Sequence, residues 1–174
     1  MAMGTFEETV VPHLDAAFNY ARWLTRDDAE AEDVVQDACV RAMRFFSSFR
    51  NDNARAWLFT IVRNTWFSRL SRHHRGVPQT IAVDSPQVVL VDDDLDPEEQ
   101  LVRQHTVLRV REALEQLPGD FREVLVLREL EGLSYKEIAS VVGIPVGTVM
   151  SRLARGRERL MGVLKLTASM ETLR

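Results

Sequence analysis

Residues 133–160 read LSYKEIASVVGIPVGTVMSRLARGRERL. This stretch carries the punctuation of two helices and the turn between them. Ser134 suits an N-cap, and Glu137 three residues later completes a capping-box pattern. Ile138, Ala139 and Val142 recur at helical spacing. Gly143 supplies the left-handed residue that ends a helix. Pro145 lacks a backbone N–H and stands where the first turn of a following helix needs none. On that second helix Val149, Leu153 and Leu160 line one side, and Thr148, Ser151, Arg152 and Arg155 line an adjacent one. No acid lies between Glu137 and Glu158, whereas Arg152, Arg155 and Arg157 do. An acid-free, arginine-bearing helix flank suits the major groove of DNA. Arg reaches guanine edges or phosphates there, and Ser and Thr reach either. The plainer alternative is a solvated helical hairpin with a charged face. The agreement of cap, turn, packing and charge favours a helix-turn-helix.

The chain has 174 residues, room for one medium domain or two small ones, and 45% of them are hydrophobic, enough for a packed core. Charge is unevenly placed. Met1 to Arg75 holds ten bases and ten acids, and Gly76 to Gln100 holds no base and seven acids. Leu101 to Arg174 holds twelve bases and nine acids, which completes the net charge of −4. An acidic chain can therefore still present basic surfaces. One cysteine, Cys39, excludes an internal disulfide and a cysteine-built zinc site. Its apolar helical context reads as a core thiol. No signal-peptide pattern and no run of 18 apolar residues occurs, so a soluble cytoplasmic protein is expected.

Two small helical domains are expected around a linker. The first, residues 1–75, reads as three helices. Phe6 to Leu24 carries Val10, Leu14, Ala17, Phe18 and Ala21 on a stripe. A second helix, capped by Asp27 or Asp28, runs through Phe46 with Val34, Val35, Ala38, Ala42 and Phe45 or Phe46 as its apolar side. Ser47 to Asn53 breaks it, and a third helix runs from about Ala54 to His73. Residues 76–97 read as a flexible acidic linker, with Pro78, Pro86, Pro97 and the run Asp92-Asp93-Asp94-Leu95-Asp96. Val88 to Val91 is strand-like but has no second strand to pair with. The second domain, residues 98–174, opens with a helix to Leu117 ended by Pro118-Gly119. Phe121 to Leu130 follows, ended by Gly132, and then the helix-turn-helix. The fold class is all-α.

Two further segments invite functional readings. From Asn53 to Val83 no acid occurs, while Arg55, Arg63, Arg69, Arg72 and Arg75 interleave with Trp57, Phe59, Trp66 and Phe67. Bases and aromatics together are what a single-strand surface uses. Stacking contributes about 1–3 kcal/mol per base and arginines hold the backbone. A helix sandwiched between two others, its arginines merely solvated, is the competing reading. The second helix carries Asp33, Gln36, Asp37, Arg41 and Arg44 away from its apolar stripe. These are either a docking face or ordinary pairs such as Asp37 with Arg41 at i,i+4, contributing roughly 0.3–0.5 kcal/mol.

Catalytic signatures are absent: no G-x-x-x-x-G-K-S/T, no H-E-x-x-H and no G-x-S-x-G. His73 and His74 are adjacent, a poor spacing for one metal, and the acidic run lacks the glycine and terminal Glu of an EF-hand loop. An enzyme, a metal and a cofactor are therefore not expected.

Three segments in order carry a resemblance to a known family. AEAEDVVQDACVRAMRFF, NARAWLFTIVRNTWFSRLSRHHR and LPGDFREVLVLRELEGLSYKEIASVVGIPVGTVMSRLARGRERL resemble a bacterial sigma factor of the extracytoplasmic-function (ECF) group. Together they span about half the chain. The helix-turn-helix alone is shared with response regulators, but the three in this order with a short linker are specific. The resemblance implies a transcription initiation factor with defined roles. Asp33, Gln36, Asp37, Arg41 and Arg44 would dock on the β′ clamp of core RNA polymerase, with the β subunit nearby. Arg63, Asn64, Arg69 and Arg72 would face the −10 strand with Trp57 and Trp66. The loop bearing Phe49, Arg50 and Asn53 would cradle an extruded base. Thr148, Ser151, Arg152 and Arg155 would enter the −35 major groove, with Lys136 and Arg157 on phosphates. The linker acids would run toward the polymerase channels as a mimic of nucleic-acid charge. No His-Cys-rich segment marks a built-in sensor, so an anti-sigma factor is the expected regulator. Two rivals are a sigma-factor mimic that sequesters an anti-sigma factor and a stand-alone helix-turn-helix regulator. The DNA-facing arginines argue against the first, and the aromatic-basic helix against the second.

Overall fold

A computed structural model describes residues 4–50, 53–73 and 96–172. Every regular element among them is helical.

The first expected helix is broken in two. α1 (Phe6–Thr9) is capped reciprocally by Thr5 and Glu8, and a 3-10 turn at Val11–His13 separates it from α2 (Leu14–Thr25). Pro12 is the cause. It removes a donor, and its ring crowds the preceding turn, so a helix cannot run through it. α2 ends at Arg26, which takes a left-handed φ of 62°. Asp27 then caps α3 (Asp28–Phe45), its side chain accepting from Glu30 N at 2.7 Å. α4 (Ala54–His73) has the expected bounds, and Asn53 Oδ1 accepts from Arg55 N and Ala56 N at its start.

α2, α3 and α4 pack on one another. Ala31, Val34, Ala38 and Ala42 form the expected stripe of α3, all 0% exposed, against Ala17, Tyr20 and Ala21 of α2. Leu58, Phe59 and Val62 of α4 close this core. Burying each such leucine, phenylalanine or valine contributes about 1.5–3 kcal/mol. Phe45, offered with Phe46 as the end of the stripe, is 60% exposed, and Phe46 packs instead.

α5 (Pro97–Glu115) starts with its proline in the first turn, where no N–H is needed. α6 (Gly119–Leu125) passes into a wider π turn at Val126–Leu130, so the expected single helix there carries a local unwinding. α7 (Tyr135–Val142) and α8 (Val146–Thr172) form the helix-turn-helix. Gly143 takes a φ of 73° between them, a conformation that glycine adopts without steric cost. α8 crosses α6 closely at Gly156, where an added Cβ would lie 3.1 Å from Leu125 Cδ1.

The two expected helical regions pack on one another. α4 packs against α7 and α2 against α6, so the buried side chains form one continuous cluster. The expected linker lies outside the described residues except at its end, where Asp96 precedes α5 and Pro97 opens it. The strand-like Val88 to Val91 lies outside them as well.

Candidate nucleic-acid and polymerase interfaces

The helix-turn-helix is built as its sequence demands. Ser134 Oγ accepts from Glu137 N at 3.2 Å, and Glu137 Oε2 accepts from Ser134 N at 2.7 Å. The second of these bonds, with lesser help from Asn53, holds the Glu137 carboxyl below its ordinary range despite partial burial. Val149 and Leu153 turn inward at 0% and 1% exposure. That rotation leaves Thr148, Ser151, Arg152 and Arg155 along one outer face of α8, three or four residues apart. Ser151 and Arg155 are exposed, Thr148 and Arg152 half-buried, and Lys136 stands exposed on α7. Arg152 is loosely tied to Asp120 at 3.7 Å. Arg157 is held by Glu129 at 2.6 Å. Both partners are about half exposed, and such surface pairs contribute little, so a phosphate can replace the carboxylate.

The face of α3 carries Asp33, Gln36, Asp37 and Arg44 exposed, with Arg41 half-buried. Asp37 is engaged by Arg69 of α4, whose Nη1 donates at 2.8 Å. The same guanidinium meets Glu30 at 3.0 Å and Asp33 at 3.7 Å. Burial works against the Arg69 charge, and the bonds it donates to Glu30 and Asp37 more than restore it. The structure therefore pairs Arg69, expected to face the −10 strand, with the acids of α3. The reason is packing: α4 lies along α3, and the side chain of Arg69 points across that seam.

The aromatic content of α4 goes mainly into packing. Phe59 is fully buried and stacks on Tyr20 at 4.9 Å. Trp57 sits 5.0 Å from Phe49, and Trp66 packs on the core. Phe49 is 4% exposed, so its ring belongs to the floor of the loop expected to cradle an extruded base. Asn64, Arg72 and Arg50 are exposed where a strand could reach them. Phe67 is exposed too, with the Arg63 guanidinium 4.5 Å from its ring centre.

Arg63 is engaged from the other helical region. Its Nε donates to Glu123 Oε1 at 2.7 Å, and the Tyr20 hydroxyl donates to the same oxygen at 2.7 Å. Burial and then the Glu123 charge push the Tyr20 phenol well above its ordinary range, so it remains a donor. Nearby, Asn53 Nδ2 donates to Glu137 Oε1 at 2.6 Å and Arg55 lies 3.9 Å from Glu131. Sequence reading missed Tyr20, Glu123 and Glu131, and it gave Arg55 no partner. No local signal could have found them, since Tyr20 and Glu123 stand 103 residues apart.

A helix-turn-helix with an open polar and basic flank, a second basic helix and an acidic face on α3 are what a helical DNA-binding protein with a separate protein-binding surface would carry. Comparison with known proteins agrees. The sigma-70 region 2 family model matches residues 9–76, and that of sigma-70 region 4 matches residues 108–160. The chain is 39% identical over 140 residues to the RNA polymerase sigma-H factor of Pseudomonas aeruginosa, covering 77% of this chain and 72% of that one. It is 37% identical over 138 residues to the ECF RNA polymerase sigma-E factor of Escherichia coli K12, covering 75% and 72%. Among solved structures, the sigma factor RpoE of Bartonella quintana, in complex with the anti-sigma factor NepR, superposes with a TM-score of 0.71. Its identity is 30%, with 92% of this chain and 96% of that one covered. CnrH, in complex with the cytosolic domain of CnrY, gives 0.61 at 28% identity, covering 92% and 88%. The chain belongs to the ECF group of the sigma-70 family, whose members are promoter-specific transcription initiation factors and not enzymes.

Proposed function

We propose that this chain docks on the β′ clamp of core RNA polymerase through α3, with the β subunit nearby, and reads two promoter elements with two surfaces. Asp33, Gln36, Asp37, Arg41 and Arg44 form the docking face. Arg69 acts there as a positioning residue, because it holds Asp33 and Asp37 by their carboxylates. Thr148, Ser151, Arg152 and Arg155 read base edges at −35, and Lys136 and Arg157 hold phosphates. At −10, Arg63, Asn64, Arg72 and Arg50 hold the non-template strand, with Phe67 offering the exposed ring for stacking. Asn53, Trp57 and Phe49 shape the loop that receives an extruded base, and Trp66 supports the helix from behind. Melting is driven by capture of unpaired bases, and the chain itself does no chemistry. The domain division is 1–75 for docking and −10 reading, 76–97 for the linker, and 98–174 for −35 reading.

The observation that carries this reading is the outer face of α8, where Ser151 and Arg155 stand exposed on a helix held in place by buried Val149 and Leu153. A sigma-factor mimic needs no such face. Neither RpoE nor CnrH was solved alone, each having an anti-sigma factor or a cytosolic partner domain on it, which supports an anti-sigma partner here. Among the described residues no single helix is long and apolar enough to cross a membrane, in keeping with a cytoplasmic site of action.

Run-off transcription with purified core polymerase and a library of promoter fragments tests the proposal. Specific transcripts sharing a −35/−10 pair support it. Core binding without transcripts from any fragment would point to an inhibitor, and no core binding would remove the docking face.

A further inference from the structure

The outer face of α8 carries more than the polar side chains assigned to −35 reading. At about 100° per residue, Ser151 and Arg155 run up the middle of that face, with Thr148 and Arg152 on one flank. On the other flank Val146, Met150 and Ala154 follow one another at four-residue spacing. Val146 is 38% exposed, Met150 is 53% exposed, and Ala154 is exposed as well. A row of apolar side chains is therefore left in water by a helix whose inner side is already filled by Val149 and Leu153. The row spans about 12 Å along the helix, the length of about three or four base-pair steps. Gly147 lies beside it, with nothing within 4 Å of where a Cβ would stand, so a partner can come close to the backbone there. Arg157, one turn beyond Ala154, ends the row with a cation held by surface Glu129.

We infer that Val146, Met150 and Ala154 form an apolar reading row that selects the C5 methyl group of thymine in the −35 element, with Met150 as its specificity-determining side chain. The inference rests on the −35 reading of α8 given above. The chemistry of the major groove commits the row to one feature. Guanine, cytosine and adenine present hydrogen-bond donors and acceptors there, and thymine alone adds a methyl group. A methionine laid over the edge of one of the other bases strips water from polar atoms without replacing their hydrogen bonds. Against a methyl it removes apolar surface from water on both partners. Its unbranched, flexible thioether follows the methyl through small shifts of the helix. Position agrees with chemistry. The N-terminal turns of a recognition helix are the ones that reach base edges, and Val146 and Met150 stand on the first two turns of α8. The two flanks then read different things. Arg152 and Arg155 suit guanine or phosphate, and the row demands an A·T pair whose thymine lies on the strand it faces.

The test uses holoenzyme assembled from the full chain and purified core polymerase, on a promoter recovered by run-off. Each thymine of the −35 element, on either strand, is replaced in turn by deoxyuridine. That change removes the C5 methyl and keeps every hydrogen-bonding group. Competition binding by the wild type is expected to weaken about fourfold at one or two of these positions, the effect of one methyl group taken out of water. Met150→Ala is expected to weaken binding to the thymine promoter by a similar factor and to make the same positions indifferent to the methyl, as two groups in contact require. Met150→Leu keeps the bulk and is expected to keep the discrimination. Met150 is exposed, so circular dichroism and urea unfolding of both variants should match the wild type. A −35 element without an A·T pair would overturn the row. So would wild-type binding indifferent to deoxyuridine at every position, or a methyl preference retained in full by Met150→Ala. Arg155→Ala in the same assay separates this from the underlying reading. A −35-dependent loss in that variant with no methyl effect in the wild type removes the row alone, whereas no loss in Arg155→Ala or Met150→Ala removes α8 from the −35 element.

Discussion

Glu137 serves two regions at once. It closes the capping box with Ser134 and accepts from Asn53 Nδ2 at the start of α4. Its carboxyl is held below the ordinary range, chiefly by the Ser134 backbone bond, so the ionised form is favoured in the folded chain. Its contribution is therefore complete above the unfolded value near 4.3 and is lost as pH falls through the lower folded value. Urea unfolding between pH 6 and pH 3 should show wild type losing its advantage over Glu137→Gln toward the acid end, and a constant difference would contradict the assignment. Ser134→Ala removes the other half of the box and should cost about 1 kcal/mol in the same assay. Arg69 is a second single side chain with wide reach, since three acids of α3 converge on it. Arg69→Ala should weaken core polymerase binding, because Asp33 and Asp37 lose the group that orients them. Binding of a −10 strand by the same variant should change little. Asp37→Arg should reduce core binding further while leaving the fold intact, and full competition for core by that variant would remove Asp37 from the face.

Helix α8 joins two demands along its length. Its first turns carry the proposed groove-reading face, and its middle must lie against α6. Gly156 permits that approach: an added Cβ would stand 3.1 Å from Leu125 Cδ1 and 3.4 Å from Phe121 Cβ. Glycine in mid-helix costs roughly 0.5–1 kcal/mol relative to alanine, so close packing is what keeps it there. Gly156→Val adds branched bulk to a filled contact and should destabilise by about 1–3 kcal/mol in denaturant titration. Arg152→Ala and Arg155→Ala act on the other demand. Each should weaken −35-dependent initiation by roughly 1–3 kcal/mol if it removes a base contact, leaving unfolding stability near that of wild type. Unchanged transcription from a cognate promoter would show that these side chains do not read it.

Across the whole molecule the two helical regions share one buried cluster, and the seam between them is lined with carboxylates meeting donors of α4. The seam reconciles two features that sit apart in the chain, an acid-free basic helix and a C-terminal region with nine acids of its own. Charge pairing across it is partly exposed at Arg55 and Glu131, at a separation of 3.9 Å. Salt screens such pairs while leaving the apolar contacts in place. Raising salt alone should therefore loosen the rim of the seam without parting the regions, as read by scattering of the wild-type chain. Expansion of the wild type at moderate salt would mean that charge, and not the shared apolar cluster, holds the seam.

Much of this was written locally. Ser134, Glu137, Gly143 and Pro145 mark the helix-turn-helix because caps and turns depend on residues within one helical turn of each other. The inward stripe of α3 and the bounds of α4 follow for the same reason. The same range of signals holds Pro12, whose break in the first helix is legible in the sequence despite the apolar stripe around it. Other assignments needed the folded chain. Trp57 and Phe59 pattern as available aromatics, yet Trp57 packs on Phe49 and Phe59 on Tyr20, since a helical wheel does not say which neighbour will cover a face. Arg69 stands on a basic helix in sequence and among acids in space. Local rules set the elements because their energies involve neighbours in the chain. Which face of each element meets another depends on contacts such as Tyr20 with Glu123, 103 residues apart, and only the packed structure chooses those.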